Sequence, residues 1–239
     1  MNFAGAFDRL MELLPQLAYI LPVILISLTV HEFAHGWVAY KQGDHTAKSY
    51  GRLTLNPLAH LDPVGTLMII FTALTGTGIG WAKPVPFNPS YFRDWKKGTR
   101  YVGLAGPVSN FLMAIASGII FKILGAILAA DIVTGVGLSV IEILFTFFFY
   151  MIMINISLGV FNLLPVPPLD GSKIFGTLLP DRVYGWMLQN ETYIGYAFLA
   201  IVIFAPRVLS TVLNPLIDGA WQGISFILTP VEWIMNLFL

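Results

Sequence analysis

Long uncharged runs divide the chain. Between Glu12 and Lys41 the only charge is Glu32, so Leu13–Tyr40 supplies a helix longer than the roughly 20 apolar residues that cross a bilayer. It is too long, and too short of small residues at a cleavage position, to be a removable signal peptide. Tyr101–Ala130 carries only Lys122 and predicts a second span. Ile132–Leu169 carries only Glu142 and is long enough for a third span followed by an irregular exit. Thr192–Pro206 is a shorter candidate, and Val208–Leu228, interrupted by Asp218, is another. The pattern predicts an all-α polytopic membrane protein with about five transmembrane helices, without internal repeats.

One stretch does not fit a simple span. Pro63–Ala82 is uncharged, but Gly76, Gly78 and Gly80 make its second half a poor helix. Before it, the alternation from Tyr50 within Lys48–Leu55 reads as a short strand. After it, Pro84, Pro86 and Pro89 forbid regular structure across Trp81–Pro89. A short re-entrant β or loop element between the first and second helices accounts for all three.

Composition confirms lipid as the main solvent. Hydrophobic residues make up 56% and charged residues 11% of 239 positions, less than half the ~25% charge of ordinary soluble domains. Mean hydropathy is +0.77. Thirteen basic and thirteen acidic residues cancel, which excludes a nucleic-acid partner held by a basic field. The absence of cysteine excludes disulfides, thiolate metal sites and a cysteine nucleophile.

Within the first span lies His31-Glu32-Phe33-Ala34-His35. On a helix, His31 and His35 stand one turn apart on one face, where both imidazoles reach a single metal ion. Glu32 beside them is placed to take a proton from a metal-activated water. Chance alone gives this pattern in about one in 700 chains of such composition. The competing structural reading is a hydrogen-bonded histidine pair with a glutamate partner, but ionisable groups inside a span are costly and mark function. A third metal ligand is required. A metzincin-type continuation needs glycine at position 38 and histidine at 41, where this chain has Val38 and Lys41. No glutamate follows some twenty residues on, the next being Glu142. Asp170 is the remaining intramembrane candidate, behind a helix broken by Pro165, Pro167 and Pro168. The alternative is that Asp170-Gly171 is a turn just outside the membrane.

HEFAH, the run NLLPVPPLDG from Asn162 to Gly171, and Gly106-Pro107-Val108-Ser109-Asn110 between them resemble the site-2 protease family of intramembrane zinc metalloproteases. GRLTLNPLAHLDPVG and GWAKPVPFNP are further similar to its small bacterial members. The resemblance implies one transmembrane metalloprotease domain over residues 1–239, with a core of 17–171 and C-terminal helices in 172–239. It implies hydrolysis of a peptide bond in or near a transmembrane helix of a membrane-protein substrate. It makes His31, His35 and Asp170 the Zn2+ ligands, Glu32 the catalytic base, and Asn162 an aid to substrate positioning or oxyanion stabilisation. Asn162 has the alternative role of capping the broken helix. No soluble stretch is long enough for the PDZ or CBS domain of better-known members, and residues 1–12 cannot provide the extra leading span of some relatives. A metal-ion carrier or a silent metal-binding scaffold for transmembrane helices is the rival function, and Glu32 argues against it. A di-iron oxygenase needs more than the four histidines present.

The metal hypothesis constrains topology. A full crossing by Pro63–Ala82 would deliver Asp170 to the membrane face opposite His31 and His35. A re-entrant path returns it to theirs. Residues 41–62, 83–100 and 170–190 then share one face and hold ten of the thirteen basic residues, so that face, and the active-site opening, is expected to be cytoplasmic in a prokaryotic plasma membrane. Lys122 and Glu142, equally distant from a turn near Asp131–Thr134, are expected to pair across the hairpin of the second and third spans. Asn56, His60 and Asp62 read chiefly as turn formers, with His60 and Asp62 also able to approach the metal. His45 is expected to be solvated, Gly106 and Asn110 to allow close helix packing with a polar contact, and Phe145–Phe149 to form packing or lipid-facing surface.

Overall fold

The structure, a computed structural model, describes residues 3–75 and 80–235. It is all-α, as the hydrophobic runs predict. Helices α1 (Phe3–Lys41), α4 (Trp95–Ala129) and α5 (Val136–Asn162) are long and apolar enough to cross a bilayer. Helices α7 (Asp181–Gln189) and α8 (Glu191–Phe204), bent by 69° at their junction, qualify together as a fourth span. Helix α9 (Pro206–Met235) packs across α4 and α5, burying Ile224 and Leu228 beside Ala114, Ile152 and Ile156. The shorter elements are α2 (Thr46–Ser49), α3 (Pro63–Thr75) and α6 (Asp170–Gly176).

Helix α4 is the hub, in contact with α1, α5, α6 and α9. Its buried stripe of Gly98, Val102, Gly103, Gly106, Asn110, Ala114, Ser117 and Gly118 follows helical spacing and is built from small residues that admit neighbouring backbones. Asp94 caps its start by accepting from Lys97 N at 3.0 Å, a bond that holds the Asp94 carboxyl below its ordinary range.

The segment between α1 and α4 is re-entrant. Helix α3 has 13 residues, about 20 Å of rise against a ~30 Å hydrocarbon core. The chain then comes back along it: Gly80 lies against the Ile69 backbone, and Trp81 O lies against Gly65. Lys83 N donates to His60 O at 2.8 Å, closing the base of the excursion on the side where it began. Gly76 and Gly78, expected to break the helix, lie outside the described residues.

The expected strand over Lys48–Leu55 is corrected. Residues Thr46–Ser49 form a helical turn, Gly51 adopts φ +65°, and no strand occurs among the described residues. The cause is Arg52, which is buried and turns its guanidinium inward onto the carbonyls of Ala59, Lys83 and Pro84. That pins the loop to the base of the re-entrant segment and leaves no extended run. Asn56 caps a 3₁₀ turn at Pro57–His60 by accepting from Leu58 N, and Asp62 caps α3 by accepting from Gly65 N. His60 is buried with Nε2 on Thr54 O at 2.8 Å, whereas His45 is exposed beside the Tyr40 ring.

The Lys122–Glu142 pair is also corrected. Lys122 pairs with Glu232 of α9, and Glu142 is exposed. The hairpin register is the expected one, with Phe121 stacked on Phe145 at 4.2 Å and Asn110 bonded to Asn155. Since successive helical residues are turned by about 100°, Phe121 takes the face toward α5 and Lys122 is swung toward α9.

Two outcomes test this arrangement. Single cysteines replacing Ser49 and Ser90 should be labelled by an impermeant thiol reagent from the same side, and one replacing Asp131 from the other. In a thermal double-mutant cycle in detergent, Lys122→Met and Glu232→Gln should couple by about 0.5 kcal/mol or more, while Lys122→Met and Glu142→Gln should add independently.

Candidate metal centre

Two helices deliver three donors to one point. His31 and His35 lie four residues apart in the last turns of α1, and their rings meet edge-on at 4.6 Å. Asp170 arrives from the far end of the chain as the first residue of α6. Its Oδ2 is 3.0 Å from His31 Nε2 and 3.1 Å from His35 Nε2, and the two Nε2 atoms are 3.0 Å apart. All three side chains are buried.

Asp170 gets there because α5 stops. The proline-rich stretch from Leu163 to Leu169 cannot continue the helix, and it folds back so that Gly171 sits against the carbonyls of Leu163 and Leu164. Any Cβ at position 171 would collide with that backbone, which explains the glycine after the aspartate. Lys173, one turn on, binds Asp170 Oδ1 at 3.0 Å and leaves Oδ2 facing the imidazoles.

The outer nitrogens of both rings are committed. His35 Nδ1 lies 2.7 Å from the carbonyl of Val102, and His31 Nδ1 lies 2.6 Å from Asn110 Oδ1. Both partner atoms accept, so in a neutral imidazole each Nδ1 carries the proton and each Nε2 presents a lone pair. Two neutral imidazoles then turn two lone pairs toward one carboxylate oxygen. A cation resolves that repulsion. The 3.0–3.1 Å separations are close to the roughly 3.3 Å edge of a tetrahedron with zinc–nitrogen bonds of ~2.0–2.1 Å. The donor set therefore fits zinc, with outer partners that fix ring orientation.

Glu32 stands apart from the cluster. Its Oε2 accepts from Val85 N at 2.8 Å, where the Pro84-Val85-Pro86 segment crosses the helix. Asn162, in the last turn of α5, donates from Nδ2 to Leu158 O of its own helix at 3.0 Å, and no hydrogen bond joins it to the histidines or Asp170 among the described residues. Asn110 does more than pack: it bonds His31 and also Asn155. Sequence reasoning passed over Asn155, Ser27 and Lys173. The available signals were a carboxamide in the apolar run of α5 and a lysine one helical turn beyond Asp170.

Comparison with known proteins identifies the family. The model of peptidase family M50 matches residues 19–205. The chain is 39% identical over 209 residues to "Putative zinc metalloprotease YwhC" of Bacillus subtilis, covering 86% of this chain and 89% of that one. It is 31% identical over 193 residues to "Putative zinc metalloprotease Rip2" of Mycobacterium tuberculosis, covering 77% and 66%. A zinc metalloprotease of Methanocaldococcus jannaschii is 24% identical over 169 residues, covering 71% and 36%. No solved structure matches the chain. A donor cluster that fits a metal, inside a bundle of membrane-length helices, is consistent with a membrane metallopeptidase. The chain belongs to peptidase family M50, the site-2 proteases, and is a zinc metalloprotease.

Gly106 gives a sharp test of the site's packing. A Cβ there would lie 2.5 Å from His31 Nε2 and 2.6 Å from His35 Nε2. Gly106→Ala should weaken zinc binding by about tenfold or more while leaving helix content by circular dichroism unchanged.

Proposed function

We propose that the protein hydrolyses a peptide bond in or beside a transmembrane helix of a membrane-protein substrate, at a site opening toward the cytoplasm. The observation that carries the assignment of roles is the convergence of His31 Nε2, His35 Nε2 and Asp170 Oδ2 with both Nδ1 protons already committed. These three residues hold the zinc. When bound, it supplies Lewis-acid activation of water and polarisation of the scissile carbonyl.

The remaining work falls to side chains of this chain. Glu32 neighbours His31 in sequence, belongs to no ligand set, and is placed by its bond from Val85 N. It accepts the proton of the attacking water and passes it to the leaving amine, a contribution of about 10²–10⁴ in rate for general acid–base catalysis. Lys173 holds Asp170 in a one-oxygen presentation. Asn162 Nδ2 gives one N–H to Leu158 O and has a second, and we assign that second donor to substrate or its developing oxyanion. The cytoplasmic orientation is supported by the ten of thirteen basic residues on the face where the re-entrant segment, the start of α4 and α6 meet.

The experiment separates ligands from base. Glu32→Gln should keep about one zinc per chain and lose cleavage of a transmembrane reporter substrate by about 10²-fold or more. His31→Ala or His35→Ala should lose both, and Asp170→Asn should bind zinc more weakly because a charged oxygen ligand is gone. Wild-type cleavage by purified Glu32→Gln would overturn the mechanism.

A further inference from the structure

The contact of His31 Nδ1 with Asn110 leads on to a second buried carboxamide, Asn155, on another helix. Met151 O is a backbone carbonyl and can only accept, so the atom of Asn155 that faces it at 2.8 Å is Nδ2. The same Nδ2 donates to Ser27 Oγ at 2.9 Å. Asn155 therefore turns Oδ1 toward Asn110 and accepts from Asn110 Nδ2 at 2.8 Å. Asn110 in turn faces His31 Nδ1 with Oδ1, at 2.6 Å. Reversing either amide would set donor against donor or acceptor against acceptor. Ser27, Asn110 and Asn155 are each 0% exposed, which removes solvent as a substitute partner.

We propose that Asn155 is a positioning residue for the metal centre: by orienting the Asn110 carboxamide, it holds His31 in the tautomer whose Nε2 lone pair faces His35 and Asp170. The proposal rests on the reading of these three residues as the zinc ligands. It is distinct from a purely structural role, in which Asn155 joins α1, α4 and α5 and its loss lowers stability without touching the metal. Outer partners of metal-bound histidines are worth about 10–100-fold in metal affinity, and Asn155 acts one bond further out.

The test uses the full chain in detergent, with zinc affinity measured by competition against a chromophoric chelator and melting recorded with and without zinc. Asn155→Leu should weaken zinc binding by about tenfold and reduce the zinc-dependent rise in melting temperature. Asn155→Asp, whose protonated acid can donate to Met151 O and accept from Asn110, should bind zinc nearly as wild type does. Ile152→Ala, which opens the buried α5 core without polar change, should lower the melting temperature and leave zinc affinity intact. If Asn155→Leu does not fold, Asn155→Ala is read in the same way. Wild-type zinc affinity in the apolar variant overturns the proposal, as does an equal loss in Ile152→Ala. His31→Ala keeps the two readings apart. Zinc retained without His31 defeats the metal assignment itself, whereas zinc lost without His31 but kept without Asn155 defeats only this inference.

Discussion

A carboxylate must come within 3.0 Å of an imidazole that lies 139 residues earlier in the chain, on a helix of membrane-crossing length. Much of the fold follows from that requirement. Irregular backbone is tolerated in lipid only where protein or a polar cavity covers it, so the break that frees Asp170 has to be folded against other chain segments. The carbonyls of Leu163 and Leu164 press on Gly171, and α6 docks on α4. The chain between α1 and α4 has to return to its starting face, which the short α3 and the backtracking Gly80–Trp81 segment achieve. Helix α4 must carry glycine where the imidazoles pass, and it does at Gly106.

The polar residues in the bundle divide by what satisfies them. Ser27, Asn110 and Asn155 close on one another and on His31, leaving the surrounding surface apolar. Lys122 instead finds Glu232, so the charge on α4 binds the C-terminal helix rather than the hairpin partner. The pair adds to the apolar packing of Ile224 and Leu228 that seats α9 on α4 and α5.

The sequence made some of this legible because its signals depend on distance along one element. A four-residue histidine spacing fixes a common helix face. Uncharged run lengths mark the three long apolar helices, though not the count of about five spans, and the sidedness required of Asp170 points to the re-entrant path. Features set by rotation about a helix or by long-range side-chain reach were not legible. The depth of Lys122 relative to α5 was readable, but its azimuth was not, because Phe121 competes for the same face. The alternation around Tyr50–Leu55 looked like a strand because nothing local announces that Arg52 folds inward to collect three carbonyls. Asn155 carries no motif, and its importance lies in which amide end Met151 O allows it to show.

The segment that crosses α1 at Glu32 has its hydrogen-bonding capacity largely spent inside the protein. Pro84 and Pro86 have no N–H, and the one N–H between them, on Val85, goes to Glu32. The Lys83 N–H goes to His60, and the Lys83 and Pro84 carbonyls go to Arg52. An extended chain would ordinarily offer an unpaired ladder to any passing peptide. This one is a finished wall: it sets the Val85 and proline side chains beside Glu32 and has little free backbone left for another chain to pair with.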